Sequence, residues 1–213
     1  MLRTNLFQHG AAVCAYFPDL PLIAVARGIT GRDEGHRRAQ EASSLIIQAV
    51  QRYFSCGLNI GESLRRAGVD FQLKCQRGSC DVQIVACVAA VGDRWEIAQI
   101  GNVQAVLVRQ GCPKQLLEPQ SAARAECDGK KVGECGEPWM EHVATHALGL
   151  GEREAEILAV DTTAESGDCL VIAARPLTSD ELARLVVSKL DVLKDELVNH
   201  YNGGISVVTA EIG

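Results

Sequence analysis

The sequence predicts an α+β domain in which mostly antiparallel strands and grouped helices form layers. Three observations favour this class. Short apolar runs typical of buried strands come in groups, two segments have the three- and four-residue apolar spacing of helices, and turn residues separate neighbouring runs. The 213 residues are 47% hydrophobic and 23% charged, which suits one globular domain spanning 1–213.

A hairpin and two helices are predicted first. The runs AAVCAYF and LIAVA flank a Pro-Asp-Leu-Pro turn, so we expect paired strands within residues 11–26. Glycines at 28, 31 and 35 then indicate a loop. Apolar residues recur on one stripe across 36–54, which predicts a helix, and a shorter second helix is expected at Ser63–Ala67.

Three strands and an irregular segment are predicted next. Residues 82–110 contain three apolar runs separated by the turn pairs Gly92-Asp93 and Gly101-Asn102, the pattern of a β-meander. Residues 112–140 show no period and are rich in glycine, proline and charge. We therefore expect a long irregular segment there.

The last part of the chain predicts two strands, a helix and a final strand. The runs ILAV and CLVIAA lie within 157–174. Thr178 and Glu181 have the spacing of a capping box, and a leucine-rich helix follows as far as Leu197. Asn202-Gly203-Gly204 ends that helix, and ISVVTAEI predicts the closing strand.

Charge and composition exclude several classes of function. The formal net charge is −6, which argues against a nucleic-acid partner bound through bulk electrostatics. No apolar run reaches the roughly 18 residues that a membrane span needs, and no secretory signal is recognised at the start. Several of the nine cysteines lie inside apolar runs, as expected for small buried residues in a reducing compartment. We expect a cytoplasmic protein with no membrane partner.

Six fragments resemble, in order, the motifs of the metal-dependent protein phosphatases of the 2C type. LIAVARGITG is similar to the family's FAVADGMGG, WEIAQIGNVQAVLVRQG to its VANVGDSRA hairpin, and THALGLG to its TRALG. SGDCLVIAARPLTSDEL is similar to its LLLCSDGLTD segment, GGISVVTAEI to its DNITVVVVRI, and RTN at 3–5 to its opening R-x-N-x-D. The fragments cover essentially the whole chain. Its short length brings it nearest to the bacterial branch that includes sporulation stage II protein E.

The resemblance implies a β-sandwich with helices packed on its outer faces. It also implies a site at one end of the sandwich, where acidic side chains hold two magnesium or manganese ions and a bridging water attacks the phosphate. Here the matching positions have lost their carboxylates. The region Leu6–Gln8 contains no acid where the family has its opening aspartate, and the four other matching positions are Arg27, Asn102, Arg175 and Gly203.

These losses change the expected function. Two arginines would repel divalent cations, so we expect no metal cofactor, no catalytic residues and no hydrolysis. The sequence therefore predicts a catalytically inactive phosphatase-fold protein, a pseudophosphatase, that acts in signalling or regulation by binding a protein partner.

Two alternatives stay open. In the first, an active serine/threonine phosphatase uses a rearranged magnesium or manganese site that draws on other acids, starting with Asp33 and Glu34. In the second, Arg27 and Arg175 face each other and hold a phosphate or another anion between their guanidinium groups. The plainer interpretation of the two arginines is that they drifted after catalysis was lost and pair with nearby acids or solvent.

Overall fold

Two five-stranded antiparallel sheets form the centre of the fold. The computed structural model describes residues 2–10, 12–30, 36–76, 82–122, 125, 143–149, 156–188 and 205–213. Its elements are β1 (Leu2–His9), β2 (Ala12–Phe17), β3 (Leu22–Thr30), α1 (His36–Ser55), α2 (Ile60–Gln76), β4 (Val82–Val91), β5 (Arg94–Ile100), β6 (Gln104–Arg109), β7 (Cys112–Leu117), β8 (Leu158–Thr163), β9 (Cys169–Ala173), α3 (Ser179–Ser188) and β10 (Ile205–Ile212).

Each sheet combines strands that are distant in sequence. The first sheet has the order β1-β10-β9-β6-β7, and the second has the order β2-β3-β4-β5-β8. Every neighbouring pair is antiparallel. The strands nearest the two chain ends, β1 and β10, pair along their full length, from Leu2 opposite Ile212 to His9 opposite Ile205.

Apolar side chains fill three layers. Successive side chains on a strand point to opposite faces, so β3 contributes Leu22 and Ala24 to one layer and Ile23 and Val25 to another. One layer lies between the two sheets, one between the second sheet and the helices α1 and α2, and one on the outer face of the first sheet, where Leu182 of α3 packs. The expected β-sandwich with helices on its outer faces is thus confirmed.

The strongest sequence patterns gave correct elements. The hairpin within 11–26, the helix across 36–54, the strands within 157–174 and the closing strand are all present. The capping box is also confirmed, because Glu181 N donates to Thr178 Oγ1 at 3.2 Å and Thr178 N donates to Glu181 Oε2 at 2.8 Å. The part of the predicted helix that follows Ser188 lies outside the described residues.

Other expectations were wrong. The loop expected at Gly28 is still strand, because β3 pairs with β4 as far as Thr30. The second helix is longer than Ser63–Ala67, and the exposed strands β1 and β7 were not predicted. The meander is also wrong, because β5 pairs with β4 and β8 while β6 pairs with β7 and β9 in the other sheet. The connection through Asn102 therefore crosses between the sheets.

Gly28 fixes how closely α1 approaches β3. A Cβ atom on Gly28 would lie 2.5 Å from the Cβ and 2.6 Å from the Cα of Ala39 in α1. Such distances are too short for real carbon contacts, so only glycine fits. This contact holds α1 directly against the residue that follows Arg27.

An ion pair with a buried carboxylate closes one end of the sandwich, which we call the far end. Asp168 is fully buried and accepts two hydrogen bonds from Arg109, from Nε to Oδ1 and from Nη2 to Oδ2, both at 2.8 Å. Arg109 Nη2 also donates to the carbonyl of Thr163 at 2.8 Å. Since Arg109 belongs to β6 of the first sheet and Thr163 to β8 of the second, the pair ties the two sheets together.

In the described part of the chain, no helix is long and apolar enough to span a membrane.

Candidate functional site

Arg27 lies at the opposite end of the sandwich, which we call the site end. In β3 it stands opposite Ala12 of β2 and Val85 of β4, and both of these neighbours belong to the layer between the sheets. The alternation along β3 places Arg27 on the same face as Ile23 and Val25. The strand therefore carries a guanidinium group into the end of an apolar layer.

Asn102 is the polar partner of Arg27. Arg27 Nη2 donates to Asn102 Oδ1 at 3.2 Å, and Asn102 is buried in the connection where the chain crosses between sheets. The preceding Gly101 has a φ of 87°, and a Cβ there would lie 2.3 Å from Val85 Cγ1. Glycine is thus required for the turn that presents the Asn102 amide to Arg27.

Arg175 follows β9 and is only 3% exposed. Its guanidinium binds the Glu181 carboxylate with two hydrogen bonds, Nη2 to Oε1 at 2.6 Å and Nη1 to Oε2 at 3.1 Å. Nη1 also donates to the carbonyl of Pro176 at 2.6 Å. The carboxylate that caps α3 therefore also neutralises Arg175.

Sequence reasoning found Glu181 as a helix cap but missed it as the partner of Arg175. The pairing depends on the turn between β9 and α3, which brings Glu181 back onto the guanidinium of Arg175, six positions earlier in the sequence. The available signal was an acidic residue in the capping box that follows a buried strand. This combination is too common in sequences to identify one ion pair.

The crossing connection links the segments that carry the two arginines. Gln104, two residues after Asn102, stands opposite Ala173 of β9, and its Oε1 accepts a hydrogen bond from Leu177 N at 2.7 Å. The segment that carries Arg175 is thereby fastened to the connection that binds Arg27. We call Arg27, Asn102, Arg175 and Glu181 the arginine cleft.

The electrostatics of Arg27 are unbalanced. Burial, and then the positive charge of Arg175, lower the pKa of Arg27 from its ordinary value to about 10. Among the described residues its buried Nε atom has no hydrogen-bond partner and no carboxylate forms an ion pair with the guanidinium. A group with these properties favours a bound anion that accepts hydrogen bonds.

The surroundings of Glu181 favour its charged form, whereas those of Arg27 disfavour it. Burial raises the pKa of its carboxyl, but the hydrogen bonds from Arg175 and Thr178 outweigh burial, so the net pKa lies below its ordinary value. The Glu181 carboxylate is therefore charged at neutral pH. The three ionised side chains of the arginine cleft carry a net charge of +1.

The described residues do not fit a binuclear metal centre. A divalent cation such as magnesium or manganese needs several oxygen ligands, mostly carboxylates. Within the described ranges no three His, Cys, Asp or Glu side chains converge into a set that would hold a metal ion. The resemblance assigns Arg27, Asn102 and Arg175 to that site, and guanidinium groups repel cations. Gly203, together with Asp33 and Glu34, lies outside the described residues.

Known structures share this fold along nearly the whole chain. The serine/threonine phosphatase of S. agalactiae superposes with a TM-score of 0.79 at 18% identity, with 100% of both chains covered. The phosphatase PstP of Mycobacterium tuberculosis gives 0.80 at 16% identity, covering 99% of this chain and 98% of that chain. A serine/threonine phosphatase of Staphylococcus aureus gives 0.81 at 15% identity, covering 100% and 96%.

These likenesses confirm, at the level of the fold, the resemblance read from the six fragments. The PstP catalytic domain is also known in complex with two manganese ions. No protein-family model and no curated protein sequence matches the chain.

Proposed function

We propose that this chain, which has the fold of the 2C-type serine/threonine phosphatases, is a pseudophosphatase that acts as a signalling or regulatory binding domain. The supporting observation is the Arg27 guanidinium at the site end, hydrogen-bonded to the Asn102 amide and close to Arg175. The resemblance puts metal-binding carboxylates at these positions. Two cations beside a divalent ion are unfavourable by several kcal/mol even at an effective dielectric constant of about 20.

Manganese binding and phosphate-ester hydrolysis test this proposal. The chain is titrated with manganese by calorimetry, and hydrolysis of an aryl phosphate is followed in the same sample, with an active bacterial phosphatase of this fold as the positive control. We expect no binding heat at the site and no turnover above buffer.

Turnover that disappears with a chelator would contradict the proposal. It would favour an active phosphatase with a rearranged magnesium or manganese site instead. In that case Asp33→Asn and Glu34→Gln are the first variants to measure, because these acids neighbour Arg27 in sequence.

A second function, binding of phosphate or another anion as a sensor, is favoured by the charge of Arg27. This guanidinium has a buried Nε without an acceptor and no carboxylate partner within the described ranges. We propose that an oxyanion binds there, since it would supply both the acceptor and the negative charge. Such a ligand is compatible with the pseudophosphatase proposal, because binding needs no metal.

Phosphate titration with two arginine variants tests the anion site. Arg27→Met removes the proposed ligand group, whereas Arg94→Met removes an arginine whose side chain is 54% exposed and paired with Asp161 on the surface. We expect phosphate affinity to fall at least tenfold in Arg27→Met and to stay within twofold in Arg94→Met. Equal affinity in both variants would rule out Arg27 as the anion ligand.

We place the protein in the cytoplasm and expect its macromolecular partner to be another protein. The described free cysteines, Cys14, Cys56, Cys87, Cys112 and Cys169, support a reducing compartment.

A further inference from the structure

Glu181 lies where an anionic ligand of Arg175 would lie. Its two carboxylate oxygens bind the two terminal nitrogens of the guanidinium, which is the arrangement that an external carboxylate or phosphate adopts on arginine. The pair is shielded from water, with side-chain exposures of 3% for Arg175 and 18% for Glu181. A ligand entering the arginine cleft therefore meets Arg27, which pairs with none of the described carboxylates, and Arg175, which Glu181 already occupies.

We propose that Glu181 is an internal competitor of the anion, which occupies Arg175 and lowers the affinity of the arginine cleft for phosphate. The inference rests on the proposed anion site at Arg27. With Glu181 in place the cleft carries a single net positive charge, so a monoanion balances it and a phosphate dianion does not. Glu181 thereby sets which ligand charge the cleft prefers.

Glu181 can release Arg175 without losing its role at α3. Its Oε2 atom accepts the hydrogen bond from Thr178 N, and this bond stays within the capping box. Glu181→Gln keeps an acceptor for the same bond and removes the negative charge. The variant therefore separates competition for Arg175 from capping of the helix.

The experiment compares phosphate affinity in the full chain by calorimetry at pH 8, where phosphate is mostly a dianion. We expect Glu181→Gln to bind inorganic phosphate at least tenfold more tightly than the original chain, because Arg175 becomes available for a bidentate contact. In the double variant Glu181→Gln with Arg175→Met the gain should disappear. Unchanged or weaker binding by Glu181→Gln would overturn the proposal.

Two control variants exclude a purely structural effect. Thr178→Ala removes the other half of the capping box but leaves the Glu181–Arg175 pair, so we expect no gain in affinity. Glu165→Gln makes the same chemical change on a carboxylate that pairs with Arg109 at the far end, and we again expect no gain. A gain in either control as large as that in Glu181→Gln would contradict a specific role for Glu181.

Parallel titration with O-phosphoserine distinguishes free phosphate from a phosphorylated protein as the source of the anion. The gain is expected for both ligands, since they share the dianionic phosphate group, and a larger gain for phosphoserine would assign the source to a phosphorylated protein. Absence of binding by the original chain and by Glu181→Gln would overturn the anion site itself. Binding through Arg27 with no response to Glu181→Gln would overturn only the competition.

Discussion

Arg27 places a guanidinium among apolar side chains from two sheets, and its hydrogen bond to Asn102 compensates for part of the lost water. Burial and the nearby Arg175 lower its pKa to about 10, so folding disfavours the charged form. The unfolded chain therefore binds the proton more tightly than the folded one. The free energy of unfolding therefore rises with pH from about pH 10 up to the ordinary pKa of arginine, and at neutral pH the whole penalty is present.

We predict that Arg27→Met stabilises the protein. The thioether side chain fits an apolar layer, and the substitution removes both the desolvation and the repulsion from Arg175, so unfolding should need about 1 kcal/mol more free energy at pH 7. Urea denaturation measures this change. Arg94→Met is the control, and its stability should stay within about 0.5 kcal/mol. A destabilised Arg27→Met would mean that the guanidinium is better compensated than Asn102 alone allows.

The contact between strand β3 and helix α1 depends on the absence of a Cβ atom at Gly28. Gly28 meets the backbone of Ala39 at a distance that no side chain permits. Because Gly28 directly follows Arg27, a shift of α1 would also change the end of β3 that carries the guanidinium. Helix position and site geometry are therefore coupled at this residue.

We predict that Gly28→Ala destabilises the protein by about 1 to 3 kcal/mol, since backbone atoms must move to admit a methyl group. Thermal unfolding measures the loss. Gly92→Ala is the matched control, because a Cβ at Gly92 in the turn after β4 meets no atom within 4 Å and its φ requires no glycine. If both variants have the same melting temperature, the close approach of α1 to β3 does not limit stability.

Sequence patterns predicted the well-buried elements. They failed where side chains are exposed or where paired strands are distant in sequence. The helix stripe of α1 and the buried run of β4 are strong local signals. The edge strand β7 exposes most of its side chains and so shows no alternation. In sequence, the crossing at Asn102 resembles an ordinary hairpin turn. The two differ only in whether β6 pairs with β5 or joins the other sheet. Glu181 was identified as a cap, but its pairing with Arg175 depends on the path of the chain.

Across the whole molecule, the two ends of the sandwich have opposite electrostatics. The far end is closed by the ion pair of Arg109 with Asp168, whereas the site end holds two arginines, of which Arg175 is neutralised by Glu181. Five residue steps along β6 separate Gln104 from Arg109, which is about 16 Å. The hydrogen bonds from Arg109 hold the pKa of Asp168 below its ordinary value of 3.8.

We predict that Asp168→Asn lowers the melting temperature at pH 7 by roughly 5 °C, because the buried end of the ion pair between the sheets loses its charge. A carboxyl group whose pKa is lowered by folding stabilises the folded state at pH values above its ordinary pKa. This stabilisation is lost as the pH falls through the pKa of the folded state. The difference from the original chain should therefore shrink below about pH 4. Asp161→Asn, on the exposed pair with Arg94, should change the melting temperature little. A constant difference from pH 7 to pH 3 would contradict the role given to Asp168.

The pairing of β1 with β10 has a consequence for synthesis on the ribosome. β1 leaves the ribosome before the other described strands, but its hydrogen-bonding partner follows about 200 residues later, which is roughly 10 to 40 s at about 5–20 residues per second. The strands β2, β3, β4 and β5 lie within the first hundred residues and pair with one another. The second sheet is therefore expected to assemble while the first still waits for its last strand. Nascent chains arrested before residue 205 should be cut by protease in β1 and resist it in β3, and equal protection of both strands would contradict this order.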